Sequence, residues 1–169
     1  MIFLDPDLGE RVDVAGYRRY LDSVRDALPE EVYRFASDMR HYDQASPQTL
    51  HDAWLDSLVV REQASGDRRE IRRLAVDIDL LGPFHDRRIR LRYRGVRAYR
   101  FDARQPDGTR WTHTAHGDLL MHEVWLGEDG NVVHELRFER QGTFLVECES
   151  FSHIQEMLPP AAGQAQPDA

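Results

Sequence analysis

The chain has 169 residues, 31% of them charged and 41% hydrophobic, and 30 acidic against 22 basic side chains give a formal net charge of −8. These values predict one globular domain that buries a core without disulfides, and they exclude wholesale disorder. No apolar stretch approaches the roughly 20 residues of a membrane-spanning helix. The only cysteine, Cys148, is typical of a reducing compartment. We therefore expect a cytoplasmic protein with a single domain over residues 1–158 and a disordered tail over 159–169.

All 22 basic residues are arginine. This composition excludes Schiff-base chemistry and a phosphate-loop lysine, because no lysine amine is present to perform them. The acidic balance argues against nonspecific nucleic-acid binding, which needs a basic field. It favours instead a basic protein as partner, since opposite net charges speed the encounter of two proteins.

The first third of the chain has helical periodicity. Apolar residues repeat at spacings of three and four behind Asp13, a candidate N-cap, and again behind Pro29, a residue favoured at helix starts. Ser46-Pro47 indicates a third, short helical start. The two apolar stripes are Val14, Tyr17, Leu21, Val24 and Leu28, followed by Val32, Phe35, Ala36 and Met39.

From Trp54 to Phe151 the apolar residues alternate instead, which is typical of half-buried strands. The connections between the alternating runs are short, and short connections favour antiparallel pairing. The sequence therefore predicts an α+β fold in which N-terminal helices pack on a curved antiparallel meander sheet of about seven strands.

Three turns have glycine in the third position, at Pro106-Asp107-Gly108, Glu128-Asp129-Gly130 and Arg140-Gln141-Gly142. Three-residue hairpin loops prefer this pattern. It predicts Gly127 opposite Asn131 and Glu139 opposite Thr143. The resulting cross-strand pairs are Val124 with His134, Leu136 with Val146, Phe138 with Phe144, and His134 with Cys148.

The predicted register brings His122, His134 and Cys148 together on one apolar sheet face. Diagonal cross-strand neighbours remain within reach of imidazole rings. Two imidazoles and a thiolate would hold Zn²⁺ with one position open for water, as in a catalytic site. A buried cysteine beside hydrogen-bonded core histidines is the alternative interpretation.

Arg88, Arg90, Arg92 and Arg94 alternate with apolar residues and share one face of a strand. These four residues, the arginine ladder, would bind an acidic group through bidentate hydrogen bonds. Alternatively, cross-strand pairs of Asp79 with Arg88 and Asp77 with Arg90 would neutralise it. Arg92 and Arg94 are left without a predicted mate and are candidate partner-binding residues.

His51-Asp52 is the most interesting of four His-acid dipeptides, because it lies where a helical start meets the first strand. Asp52 would either fix the imidazole of His51 or cap backbone donors. We consider His51 and Asp52 candidate partner-binding residues as well.

Three segments together resemble small bacterial immunity proteins of polymorphic toxins. They are Leu-His-Asp-Ala-Trp-Leu at 50–55, Tyr-Arg-Gly-Val at 93–96, and His-Glu-Leu-Arg-Phe at 134–138 followed by Glu-Cys-Glu at 147–149. The resemblance covers residues 50–151 and leaves out the helical front part. It implies an acidic, non-enzymatic α+β protein that binds and blocks a toxin.

The sequence contains no Gly-x-Ser-x-Gly elbow, glycine-rich phosphate loop or dinucleotide fingerprint. We therefore expect a non-enzymatic binding protein without a cofactor. Two alternatives stay open, namely a small zinc-dependent hydrolase centred on His122, His134 and Cys148, and a carrier of a small ligand between helices and sheet.

Overall fold

The computed structural model describes residues 3–4, 13–103, 115–140 and 142–159. They form two α-helices followed by eight strands. The helices are α1 (Val14–Ser23) and α2 (Glu30–Ser37), with short 3₁₀ turns at Arg25–Ala27 and Met39–His41. The strands are β1 (Trp54–Ser65), β2 (Ile71–Leu81), β3 (Arg87–Arg94), β4 (Ala98–Asp102), β5 (Leu119–Leu126), β6 (Val132–Phe138), β7 (Thr143–Cys148) and β8 (Ser150–Met157).

Most of the two predicted helical stripes is buried, namely Tyr17, Leu21, Leu28, Val32, Phe35 and Ala36, whereas Val24 and Met39 are partly buried and Val14 is 39% exposed. The Asp13 carboxylate accepts a hydrogen bond from Gly16 N–H at 2.7 Å and caps α1, as its position in the sequence predicts. Ser46-Pro47, however, starts no helix, and the residues around it form turns. Within the described ranges, neither helix has the length and apolar character needed to cross a membrane.

The prediction of a single curved sheet of about seven strands is wrong, although the α+β class is confirmed. The strands form two antiparallel four-stranded sheets, sheet A in the order β1-β2-β3-β8 and sheet B in the order β4-β7-β6-β5. Strand β8 begins at Ser150, at the end of the predicted alternating region, and continues beyond it to Met157. The run expected to begin at Trp111 and the turn at Pro106-Asp107-Gly108 fall outside the described residues, as do residues 160–169 of the predicted tail.

The two sheets are joined where β3 continues into β4 and β7 into β8. Gly95 separates β3 from β4 with a φ of +59°, and a Cβ atom there would lie 2.3 Å from the Glu149 side chain. The pairing nevertheless crosses this bend, since Glu149 N–H donates to the Arg94 carbonyl at 3.2 Å and Arg97 N–H to the Glu147 carbonyl at 2.8 Å. Glycine is suited to this position because it adopts positive φ without a steric penalty.

The helices pack against the inner faces of both sheets and form one core with them. From α1 and α2 this core takes Tyr17, Leu21, Val32 and Phe35. From sheet A it takes Val76, Ile78, Leu80, Ile89, Leu91, Tyr93 and Phe151, and from sheet B Val124, Leu136, Phe138, Phe144, Val146 and Cys148.

Helix α1 closes the outer edge of β5. The Tyr17 hydroxyl accepts a hydrogen bond from Val124 N–H at 2.9 Å and donates to the Val124 carbonyl at 3.1 Å. The Tyr20 hydroxyl accepts from Leu126 N–H at 2.9 Å. Two phenols thus satisfy backbone groups that an edge strand would otherwise leave unpaired.

We expect Tyr17→Phe to lower the free energy of unfolding by about 2 kcal/mol, because it leaves a buried N–H and a buried carbonyl without their partner. Urea denaturation at pH 7.5 measures this change. Tyr33→Phe is the matched control, since its hydroxyl binds Asp22 at the surface, and should cost less than about 0.5 kcal/mol. Equal losses in the two variants would contradict the edge-closing role.

Candidate functional site: buried histidines between the two sheets

The predicted register is right for one hairpin and wrong for the next. Val124 lies opposite His134, as predicted, and Gly127 N–H donates to the Asn131 carbonyl at 2.7 Å. In the second hairpin Phe138 N–H donates to the Gly142 carbonyl at 2.8 Å, so Phe138 faces Gly142 and the predicted Phe138–Phe144 pair is wrong.

This shift changes the cross-strand partners of His134 on β6 and of Cys148 on β7. His134 lies opposite Val146, Leu136 opposite Phe144 and Val132 opposite Cys148. The predicted His134–Cys148 and Leu136–Val146 pairs are therefore wrong. Because the register differs by two residues, Cys148 remains on the inner face, as predicted.

His122 and His134 do come together, and Tyr93 of sheet A joins them. The Tyr93 hydroxyl lies 2.8 Å from His134 Nδ1, and His134 Nε2 lies 3.4 Å from His122 Nδ1. Tyr93 and His134 are fully buried, and His122 is 2% exposed. A line of hydrogen-bonding groups thus runs from sheet A into sheet B through the core.

Two further histidines, His41 and His153, contact the same core from the helical side and from β8. The Phe35 ring lies within 5.6 Å, centroid to centroid, of the imidazoles of all four histidines. The His41 and His153 rings are 4.7 Å apart. Neither histidine was predicted from the sequence, although His153 alternates with Phe151 and so shares its sheet face. His41 follows α2 in a 3₁₀ turn, where no periodic signal exists.

Burial keeps these imidazoles neutral. It lowers the pKa of His134 and of His153 to about 3, and it lowers the pKa of His41 and, by a larger amount, of His122. A protonated imidazole would lose its hydration without gaining a buried carboxylate partner. Neutral rings instead stack on aromatic neighbours, His134 on Phe151 and His122 on Tyr42.

The arrangement gives the zinc alternative no support. Within the described part of the chain, no three His, Cys, Asp or Glu side chains are placed to hold a metal ion. Burial raises the pKa of the Cys148 thiol to about 12, whereas a metal ligand or nucleophile must be the thiolate. His122, His134 and Cys148 thus share a face without forming a coordination site.

We expect stability to fall between pH 7.5 and pH 5. The histidines take up protons in the unfolded chain, near pKa 6.5, but not in the folded one, so acid favours unfolding. His134 and His153, with folded pKa values near 3, should each remove about 2 kcal/mol over this interval. Glu123, whose pKa is raised by burial, opposes the trend and lowers the slope.

Urea midpoints measured across this pH range test the expectation. His153→Leu should reduce the pH dependence by about 2 kcal/mol, whereas the control Ile154→Leu, at an exposed residue of the same strand, should leave it unchanged. A profile that is flat in the unsubstituted protein would show that the buried rings are not neutral.

The arginine ladder lies on the outer face of sheet A and is neutralised by carboxylates. Arg92 Nη2 lies 2.5 Å from Asp79 and Arg94 Nη1 lies 2.8 Å from Asp77, which Arg61 also contacts. Arg88 pairs with Asp56, and Arg90 with Glu156. The predicted neutralisation of the ladder by carboxylates is confirmed. The predicted ion-pair partners of Arg88 and Arg90 are wrong. Arg92 and Arg94, for which no partner was predicted, each pair with an aspartate.

We expect Asp77→Asn to lower the free energy of unfolding by about 2 kcal/mol, because Arg61, Arg92 and Arg94 all contact the Asp77 carboxylate. The residue is only 8% exposed. Glu62→Gln is the control. Its carboxylate lies 3.9 Å from Arg72 at the surface, and its loss should cost less than about 0.5 kcal/mol. Thermal or urea unfolding separates the two outcomes, and similar values would contradict a structural role for the ladder.

His51 and Asp52 form a contact pair at the start of sheet A. His51 Nδ1 lies 2.7 Å from Asp52 Oδ1, which agrees with the prediction that Asp52 fixes the imidazole. Asp52 has a φ of +64°, an uncommon conformation for a residue with a Cβ atom. Its N–H donates to the Leu119 carbonyl at 2.9 Å, which ties this junction to β5.

Comparison of the chain with family models, curated proteins and solved structures gives no match. The similarity to toxin immunity proteins therefore stays a prediction based on the segments quoted above.

Proposed function

We propose that this protein is a non-enzymatic binding protein that captures a protein partner with the end of the β1–β2 hairpin, and that the partner is a toxin which it neutralises. The observation that carries the proposal is the exposure of this hairpin end on both faces. Every residue from 59 to 73 is exposed. We call residues 59–73 the hairpin arm.

The arm keeps regular strand pairing although it has little core of its own. Pairing continues from Val59 opposite Asp77 to Ser65 opposite Ile71. Its apolar side chains face solvent, with Val59 41%, Val60 38% and Ile71 50% exposed. Beyond Ala75, the last β2 residue that pairs with β3, the hairpin is a two-stranded ribbon. Such a ribbon is marginally stable by itself, so an ordered, extended arm supports a role as a preformed contact surface.

The charge of the arm differs from that of the rest of the protein. It has five arginines and three carboxylates, a charge of +2, so the other residues together carry −10. The acidic body would attract a basic partner over long range. Arg68, Arg69 and Arg73 form no ion pair among the described residues, and their guanidiniums are available for carboxylates or carbonyls at the contact.

The experiment uses a toxin encoded beside the gene, purified as an inactive variant. The triple variant Arg68→Glu, Arg69→Glu, Arg73→Glu should weaken the complex at least about tenfold by calorimetry or biolayer interferometry. The control Arg18→Glu, Arg19→Glu, Arg34→Glu makes the same change in net charge on α1 and α2 and should retain affinity.

Association of the unsubstituted protein with this toxin should slow steeply as salt is added, because screening weakens long-range attraction. Coexpression should restore the growth of cells that make the active toxin. Equal weakening in both triple variants would contradict the role of the arm, and binding without restored growth would contradict neutralisation.

A carrier of a small ligand is the second candidate function. A cavity of about 200 Å³ lies between the helical layer and sheet B and is lined mainly by apolar side chains. Pockets of this character, with few polar groups, are typical of small-molecule sites. The hydrolase alternative has no comparable observation in its favour.

A further inference from the structure

The cavity beneath the helical layer is lined by a buried histidine nitrogen without a hydrogen-bond partner among the described residues. Its apolar wall is formed by Leu4, Val14, Leu120, Met121 and the ring of Tyr42, and its polar lining by His41, Gln44, His51 and His122. The Nε2 nitrogen of His122 is buried and has no hydrogen-bond partner within the described ranges. The Nδ1 nitrogen of His51 is also buried, but it lies 2.7 Å from Asp52 Oδ1.

The hydrogen-bond chain in the core fixes which nitrogen of His122 carries the proton. The buried Tyr93 hydroxyl has no hydrogen-bond partner other than His134 Nδ1 among the described residues, so its O–H donates to this nitrogen, because the opposite direction would leave the O–H without an acceptor. On this assignment the proton of neutral His134 is on Nε2. His134 Nε2–H then donates to His122 Nδ1 at 3.4 Å. The proton of neutral His122 is therefore on Nε2, and this N–H is a donor.

The backbone acceptor beside His122, the His41 carbonyl, is already occupied. The His41 carbonyl lies near enough to favour the charged form of His122, but it accepts from Leu50 N–H at 3.0 Å and from Thr49 Oγ1–H at 3.3 Å. A carbonyl oxygen has two lone pairs, and both are used. A buried N–H without an acceptor costs free energy. A ligand that supplies an acceptor here should therefore bind more tightly than one that supplies only apolar surface.

We propose that this cavity binds a small, neutral, largely apolar molecule whose single carbonyl oxygen accepts the Nε2–H of His122. The inference rests on the carrier function and is separate from partner binding by the arm. A cavity of about 150 Å³ accommodates benzene, so the observed volume suits one ring with a short substituent.

The charge of the surroundings selects against an anionic ligand. His122 is neutral, and Asp52, the carboxylate that contacts His51 of the lining, would repel a second one. Tyr42 stacks on His122 with centroids 4.4 Å apart and an interplanar angle of 19°. The imidazole therefore has a fixed plane, which orients its N–H toward one acceptor position.

Acetophenone and α-methylstyrene are matched probes, because the second replaces the carbonyl oxygen with a methylene group of similar shape. Acetophenone should bind at least about tenfold more tightly in ligand-observed NMR titrations. It should also shift the ¹⁵N resonance of His122 Nε2 in protein labelled at histidine. Equal affinities would overturn the acceptor role, and no binding of either probe would overturn the site.

Two variants locate the site without disturbing the buried histidines. Leu120 is 37% exposed and lines the cavity, so Leu120→Trp should fill it and abolish binding of acetophenone. Ile154→Trp places the same side chain at a residue 49% exposed outside the cavity lining, and should retain binding. Retained binding in Leu120→Trp would overturn the proposal.

His122→Phe removes the donor and should bring the affinities of the two probes together. If this variant does not fold, the comparison of probes and the Leu120→Trp result still decide the matter. Rapid exchange of the His122 Nε2–H proton with solvent, together with a ¹⁵N resonance that does not respond to acetophenone, would show that water fills the cavity. This result would also overturn the proposal. None of these substitutions lies in the hairpin arm, so this failure is distinguishable from failure of partner binding.

Discussion

The hydrogen bond between Tyr93 and His134 is the point at which the two sheets and the helical layer meet. It joins β3 of sheet A to β6 of sheet B over 2.8 Å in a region without solvent. Phe35 of α2 covers it, with centroids 5.6 Å from His134 and 5.3 Å from Phe151. Buried polar groups of this kind specify one arrangement of the surrounding elements, because any other packing leaves them unpaired. The neutral state of the imidazoles and the position of the cavity both follow from this arrangement.

The sequence is informative wherever a local pattern decides the structure. Asp13 and Pro29 mark the helix starts, and the Glu128-Asp129-Gly130 turn fixes Val124 opposite His134. It is less informative where two geometries suit the same residues. The Arg140-Gln141-Gly142 turn is compatible with two pairings, and only the bond from Phe138 to Gly142 distinguishes them.

Periodicity could not predict the division into two sheets, because the alternation typical of strands continues on both sides of the bend at Gly95. Four histidines gather for a similar reason, as they come from four separate elements of the chain. The ion pairs of the ladder arginines also depend on the strand register. The predicted register pairs Asp79 with Arg88 and Asp77 with Arg90, whereas the structure pairs Asp79 with Arg90 and Asp77 with Arg92. This difference of two residues accounts for the ion pairs of Arg92 and Arg94 with these carboxylates.

The tyrosine cover on β5 also has a consequence for biosynthesis. Tyr17 lies 107 residues before Val124, so the ribosome releases the covering helix well before the strand that it protects. When β5 emerges, the hydroxyls of Tyr17 and Tyr20 are already present in the same nascent chain and compete with any neighbouring polypeptide for its backbone. Because the covering helix is synthesised before the edge strand, the order of the elements along the chain disfavours intermolecular strand pairing during synthesis.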